Sequence, residues 1–429
     1  GRVILDVGEL LDFSFDALKA EVTWGSGHTN GQLYVKLSDQ GLTFPLGMEG
    51  DVGSAGLVLG CGRGPVTHYP ALPFPLQAVE YVDYQGTVKW ATSTSNMDML
   101  WMARGGGGEF PGVVTKFRAI AASEPKTVHF RSCDMSSAHD IGRTVIREWA
   151  KGLRVMSKSA RKVYSYIHFY PNTATIWVRY KCFACDEGEL EWFDSESAKI
   201  AEGYGGICSD IRDHIGHHPK QFVNLLAAEP GVGAWQAIPT VTHPSSSLTS
   251  HLTLTRTLWQ TLPFKPHYWP GDNGGIFAGS STAGAYYGNS YEVDMGMLDD
   301  LWSVIYSITG QHAGAFAQQF YLYSMESDAF SQSDNVGGAH NGYSAKWIIH
   351  FKTQAGEWSE EEMKSQSTNI SKAIGRYSTC DGFYNYMEST LPCATSGDSL
   401  LAAYISDPIR ARCESRSLTS LCPSASISI

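Results

Sequence analysis

The chain has 429 residues, 43% of them hydrophobic and 17% charged, with a formal net charge of −11 at pH 7. That length accommodates two or three domains and a large core. The acidic balance excludes a nucleic-acid partner, whose phosphates call for a basic surface, and no apolar run is long enough to cross a bilayer as a helix. Twelve Trp, 21 Tyr and 18 Phe form a heavy aromatic load; most must be core, and some are expected to line a groove for rings or sugars.

In chain order, residues from Gly1 to Val7 read as a strand and those from Phe13 to Thr23 as a hairpin arm. A helix is expected from Asn30 to Asp39, capped at Thr29 or Asn30 and stopped by Gly41. Strands follow at Gln77 to Val82 and Thr87 to Ala91, around a tight turn at Gln85 and Gly86. Ser95 to Met102 is a short helix, and Val113 to Ala119 a strand. Near Glu124 the texture changes. His129 to Cys133 reads as a strand and Ala138 to Leu153 as an amphipathic helix, with Ile141, Val145, Trp149 and Leu153 at helical spacing. Val163 to Tyr170 and Thr173 to Tyr180 form a hairpin across Pro171 and Asn172. Glu189 to Tyr204 and Met297 to Thr309 read as helical, and Tyr343 to Phe351 as a strand. The stretch from Ser406 to Ile429 is serine-rich with little periodicity.

Two glycine-rich stretches organise the first quarter of the chain. One runs from Gly47 to Gly64; the other is four consecutive glycines, Gly105 to Gly108, between an apolar helix and a β-branched strand. Backbone without Cβ atoms takes positive φ and lets a ligand approach closely, and its N–H groups satisfy phosphate oxygens without a cationic side chain.

Nine cysteines cannot all pair within one chain. A disulfide is expected between Cys380 and Cys393. Cys182-Phe183-Ala184-Cys185 has the spacing of a redox or metal motif, but it lies at a strand end, where a buried or bridged pair is the plainer reading. His214, His217 and His218 have the chemistry of metal ligands, yet only Asp213 and Cys208 could complete the set, so no metal site is assigned. The sequon Asn369-Ile370-Ser371 suits a secreted glycoprotein.

These residues carry a resemblance. Val3-Ile4-Leu5-Asp6, the helix signal Thr29 to Tyr34, the Gly53 to Gly64 loop, and Leu100-Trp101-Met102-Ala103-Arg104 followed by the tetraglycine, Phe110 and Gly112-Val113-Val114-Thr115 stand in the order seen in berberine bridge enzyme-like oxidoreductases. These belong to the vanillyl-alcohol oxidase superfamily. A weaker similarity, Gly382 to Glu388, resembles that family's C-terminal Tyr-x-Asn-Tyr-x-Asp. The resemblance implies an α+β protein: the later part of a PCMH-type FAD-binding domain over residues 1–125, incomplete at its N-terminus, then an antiparallel-sheet substrate domain flanked by helices over 126–375, and a returning segment over 376–429 with an atypical tail. It implies FAD, held by Gly53, Ser54, Gly56, Gly60, Gly62, Gly106, Gly107, Val113, Val114 and Asn385. It also implies Tyr386 as catalytic base with Glu326 as a carboxylate partner, and an oxidase passing hydride from an alcohol, sugar or alkaloid-like substrate to flavin and then to oxygen. Secretion is the implied location.

The departures from that pattern are specific. The family's preceding βαβ segment, with its Arg-x-Gly-Gly-His loop and flavin-tethering histidine, has no counterpart after Gly1. Glu49 lies where the second tether, a cysteine, belongs; Cys61 and Glu109 replace a glycine and an asparagine; Pro111 is inserted, Phe383 replaces a tyrosine, and Phe74-Pro75 replaces Asp-Asn. Three readings stay open: a processed part of a longer oxidase, with a separate N-terminal fragment; a flavin-less relative serving as a scaffold or self-associating assembly protein; or a carbohydrate-binding protein using Trp235, Trp259, Tyr268, Trp269 and Trp302. In the first two, FAD binding is weakened or lost, with no covalent His or Cys tether.

Overall fold

The computed structural model describes residues 5–47, 50, 52–62, 76–107, 110–136, 139–159, 162–170, 175–214, 281–288, 299–300, 303, 317–324, 347–354, 361, 365, 368–370 and 372–373. Two antiparallel sheets dominate them. The first combines β1 (Phe13–Asp16), β2 (Glu21–Gly25), β4 (Leu76–Val82), β5 (Val88–Ala91) and β6 (Val113–Ile120) in the order β1-β2-β6-β4-β5. A small two-stranded pairing joins β3 (Leu42–Thr43) to β7 (Ala122–Ser123). Helices α1 (Asn30–Ser38), α2 (Ser54–Leu59) and α3 (Met97–Ala103) accompany this sheet.

Local chemistry accounts for most of these elements. Thr29 and Gln32 make a reciprocal capping box at the start of α1, and Gly41, at φ +67°, turns the chain after it. Asp83 Oδ1 accepts the N–H groups of Gln85 and Thr87, both at 2.9 Å, which closes the β4–β5 turn with Gly86 at φ +78°. In the core Trp24 stacks on Phe117 and meets Phe44 edge-on, each with centroids 5.4 Å apart. Tyr34 donates its hydroxyl hydrogen to Leu46 O and accepts from Leu46 N–H, tying α1 to the following loop.

The second sheet has the order β11-β8-β10-β9-β13-β14-β12. Its strands are β8 (Thr127–Ser136), β9 (Val163–Tyr170), β10 (Thr175–Phe183), β11 (Ile207–His214), β12 (Ser281–Gly288), β13 (Ala317–Ser324) and β14 (Trp347–Gln354). Helices α4 (His139–Ser159) and α5 (Glu187–Tyr204) cover one face of it. Trp149 of α4 donates its indole N–H to Ser165 Oγ at 2.7 Å, and Tyr180 of β10 meets Phe193 of α5 edge-on. The two sheets share a core, because Val128, Phe130 and Phe183 are buried in the same cluster as Trp24, Phe117 and Leu100.

Several sequence expectations need correcting. Leu5 to Val7, the described part of the expected first strand, lie outside any strand. The hairpin arm at Phe13 is two strands, β1 and β2, paired from Phe13↔Trp24 to Asp16↔Glu21. The first glycine stretch contains a helix, α2. β11 was not expected at all; the disulfide Cys133–Cys208 fastens it to β8 at directly paired positions, so Cys208 is no metal ligand. Cys182 and Cys185 are also bridged, as the plainer reading of that motif held. Cys380, Cys393, His217 and His218 lie outside the described residues, and among those described no three His, Cys, Asp or Glu side chains are grouped to hold a metal.

Candidate functional site

Backbone pairing with the start of α1 shapes the first glycine stretch. Asn30 N–H donates to Val52 O at 2.9 Å, Gly31 N–H to Gly50 O at 2.8 Å, and Ser54 N–H to His28 O at 2.9 Å. A Cβ at Gly31 would sit 3.0 Å from Gly50 O, so the close approach requires glycine there. This zipper delivers the chain into α2 with Gly53 as its N-cap and no side-chain cap. Leu57 N–H is bonded back to Gly53 O, so the first-turn N–H groups of Ala55 and Gly56 have no acceptor within the helix. Ser54 is fully buried, and its Oγ has no partner among the described residues.

The tetraglycine stretch meets this one directly. Gly105 N–H, at the end of α3, donates to Leu59 O at the end of α2 with a length of 2.9 Å. Arg104, nearly buried, sends Nε and a terminal nitrogen to Leu76 O at 3.1 and 2.7 Å, which anchors the turn to the first residue of β4. Gly105 and Gly107 take φ of +114° and +55°. The strand that leaves the turn, β6, is held by Ser26, whose Oγ donates to Val114 O at 2.6 Å and whose N–H donates to Thr115 O at 3.0 Å.

The glycines are not equivalent. A Cβ at Gly62 would lie 2.3 Å from Leu57 Cγ, and one at Gly106 would lie 2.7 Å from Met102 O, so packing explains both. The N–H groups of Gly60, Gly62 and Gly106 are engaged within the chain, on Gly56 O, Leu57 O and Met102 O. At Gly53 and Gly56 a Cβ would meet nothing within 4 Å, so protein packing requires glycine at neither. Gly53, Ser54, Ala55 and Gly56 thus combine two positions open to close approach, two helix-start donors and an unpartnered buried hydroxyl. That set fits the phosphates of a dinucleotide.

His28, whose carbonyl holds Ser54, is itself buried. Its ring accepts at Nε2 from Lys36 Nζ at 2.8 Å, which leaves the proton on Nδ1 to be donated to Gly25 O at 3.0 Å. Burial, with the Lys36 charge adding to it, lowers the imidazole from 6.5 to about 4.

The face of the second sheet opposite α4 and α5 forms a wall of a different kind, with Arg179, Lys181, Tyr164 and Tyr166 buried in it. Register places Trp177, Arg179, Lys181 and Phe183 of β10 beside Asp134, Ser132, Phe130 and Val128 of β8, and Trp177, Arg179 and Lys181 beside His168, Tyr166 and Tyr164 of β9. The Val128–Phe183 end of this face is embedded in the core shared with the first sheet. Arg179 pairs with Asp134 at 2.6 Å and lies over Trp177, and Lys181 Nζ sits among the rings of Phe130, Tyr164 and Tyr166.

Among the sequence-assigned residues, the Leu59–Gly105 bond joins the C-terminal end of α2, next to Gly60 and Gly62, to the tetraglycine stretch, whereas Gly53, Ser54 and Gly56 stand toward the N-terminal end of that helix; Val113 and Val114 start β6. Tyr386, Asn385 and Glu326 lie outside the described residues. Sequence reasoning missed His28 and Ser26. His28 precedes the Thr29 cap, and that position was its only signal.

No family model matches the chain. It is 32% identical over 117 residues to an FAD-linked oxidoreductase of Penicillium janthinellum, covering 27% of this chain and 26% of that protein. It is 33% identical over 127 residues to berberine bridge enzyme-like 3 of Arabidopsis thaliana, covering 29% and 24%. The matched stretches thus span about a quarter of the length of these curated relatives. Among solved structures, the berberine bridge enzyme-like 1 protein of Physcomitrella patens superposes with a TM-score of 0.69 at 15% identity, over 98% of this chain and 79% of that one. A carbohydrate oxidase from Microdochium nivale superposes with a TM-score of 0.67 at 13% identity, over 94% and 76%. The fold is that of the FAD-binding PCMH-type proteins. Within that class, the named relatives and structural neighbours are an FAD-linked oxidoreductase, berberine bridge enzyme-like proteins and a carbohydrate oxidase.

Proposed function

We propose that the chain is an FAD-dependent oxidoreductase of the berberine bridge enzyme-like type that oxidises an alcohol, sugar or alkaloid-like substrate and passes the electrons to oxygen. The observation that carries this reading is the junction of the two glycine stretches at Gly105 and Leu59, together with the Ser54 hydroxyl at the other end of α2, unpartnered among the described residues. When bound, FAD supplies a two-electron acceptor for substrate hydride.

The chain's own residues do the rest. Ala55 and Gly56 N–H groups and Ser54 Oγ take the pyrophosphate, and the β6 strand anchored by Ser26 lines the ring or ribityl side. The face carrying Trp177, Arg179, His168 and Tyr166 offers stacking surface and hydrogen-bond donors to the substrate. Following the resemblance, Tyr386 takes the substrate proton. A phenol with an ordinary pKa near 10 needs a polar or charged neighbour for that role, and Asn385 and Glu326 are assigned to it. Glu49 stands where the family pattern has its tethering cysteine, so these residues supply no cysteinyl bond to FAD at that position. Two disulfides and the exposed Asn369 support a secretory route.

The test is anaerobic mixing of the FAD-loaded chain with panels of alcohols, oligosaccharides and alkaloid-like amines. The expected result is bleaching of flavin absorbance by one class and peroxide on admitting air, with Tyr386→Phe retaining flavin but turning over at least about a hundredfold more slowly. Bound flavin that no panel member bleaches, or full turnover by Tyr386→Phe, would contradict the assignment.

A further inference from the structure

We propose that Cys182 and Cys185 form a redox-active dithiol–disulfide centre, separate from the flavin cradle, that exchanges with small thiols. The two disulfides of the described chain differ in what they can do for the fold. Cys133–Cys208 closes a sequence separation of 75 and staples an edge strand to its neighbour, whereas Cys182–Cys185 closes a separation of only 3. A ring that short removes little freedom from the unfolded chain, so the second bond contributes least to stability.

The turn between Cys182 and Cys185 is held by other means. Ala184 N–H donates to Thr127 O at 2.8 Å, and Lys162 Nζ donates to Ala184 O at 3.3 Å. At the start of α5, Asp186 and Glu189 exchange side-chain-to-backbone hydrogen bonds, each of 3.0 Å, and Phe183 is locked in the core. Opening the sulfur–sulfur bond leaves every one of these contacts in place. The geometry is that of a turn preorganised for both redox states.

Access sets the order of events. Cys182 is fully buried at the end of β10, whereas Cys185 is half-exposed. An incoming thiolate therefore attacks Cys185 Sγ; the bond to Cys182 breaks, and Cys182 Sγ leaves with the electron pair and takes a proton from water. A second thiol attacks the outer sulfur of the mixed disulfide and releases the Cys185 thiolate, which is protonated in turn. Two thiols become one small disulfide, and the protein becomes a dithiol. The carboxylates of Asp186, Glu187 and Glu189 flank the turn, and Lys162 is already paired with Glu189 at 3.0 Å. The Lys162 ammonium and the start of α5 lie at the same turn and offset those carboxylates, while a chelating dithiol draws the exchange to completion by closing its own ring. A dithiol such as dithiothreitol is accordingly the right probe.

The experiment titrates the native full chain with dithiothreitol, alkylates the freed thiols and maps them by peptide mass, with circular dichroism followed in parallel. The expected result is labelling of Cys182 and Cys185 at a reductant concentration at least tenfold below that needed for Cys133 and Cys208, with the fold signal unchanged. Cys182→Ala incubated with oxidised glutathione should then carry a stable adduct on Cys185. Labelling of all four cysteines together, labelling of Cys182 and Cys185 only as the fold signal is lost, or their labelling without reductant would overturn the proposal. The wild-type titration stands on its own should Cys182→Ala fail to fold.

Discussion

The two sheets of this protein are built on opposite resources. Around the five-stranded sheet, the cradle is made of main chain: Gly31 against Gly50, Ser54 against His28 and Gly105 against Leu59. On the seven-stranded sheet, the wall is made of side chains, with Arg179 paired to Asp134 and Lys181 among three rings. A main-chain seat tolerates few changes where hydrogen bonding or a close approach fixes the position, as at Gly31 and Ser54. A side-chain wall can be rewritten residue by residue while its strands stay in register. That contrast fits the confinement of sequence similarity to about a quarter of the chain while the fold extends over nearly all of it.

Stability measurements can break this comparison. Trp24→Ala removes a ring that is 1% exposed and packed between Phe117 and Phe44, and is expected to cost about 3–5 kcal/mol in urea unfolding, with the five-stranded unit opening first. Arg179→Met on the wall should cost far less, about 1 kcal/mol. Its partner Asp134 keeps 56% of its side chain in solvent and is not left as a buried charge. Equal losses for the two variants would show that the wall is as structural as the cradle.

Acid offers a second, somewhat smaller lever. His28 is neutral in the fold, with its pKa lowered by burial to about 4 against 6.5 when unfolded. Its stabilising contribution is therefore fully present above about pH 6.5 and is lost as pH falls toward 4, because the unfolded chain takes up the proton first. The shift corresponds to about 3 kcal/mol. Lys36 and Asp12 are the charges that act on the ring. His28→Asn should flatten the fall in urea midpoint between pH 7 and pH 4.5; an unchanged slope would remove His28 as its origin.

Much of this architecture was legible in the residues. Thr29 and Gln32 announce the capping box, Gln85-Gly86 the β4–β5 turn, and Pro171-Asn172 the β9–β10 hairpin. The elements that escaped notice depend on distant partners. Ser54–Leu59 carries two residues, Ser54 and Gly56, that favour caps and turns, and Gly53 gives it no side-chain cap. It is helical because His28 and Gly105 grip its two ends through bonds that no local pattern displays. β11 reads as a charged segment with few apolar residues, and only its pairing with β8 and the Cys133–Cys208 bridge define it as a strand. In the site, the glycine pattern pointed to the right loops but could not separate Gly62 and Gly106, fixed by Leu57 and Met102, from Gly53 and Gly56, where a Cβ meets nothing.

That last distinction yields the sharpest test of the claim that the two glycine stretches make one dinucleotide seat. Gly56→Ala places a methyl group that meets no described atom within 4 Å beyond its own stretch of helix, and it improves helix propensity in α2, so the melting temperature should stay level or rise, by the equivalent of about 0.5–1 kcal/mol. Titrating FAD fluorescence against wild type and Gly56→Ala measures the other side of the same substitution. The account expects saturable quenching by the wild-type chain and at least about tenfold weaker binding by the variant despite its undiminished stability. Absence of quenching by the wild-type chain, or identical curves for the two proteins, would contradict it.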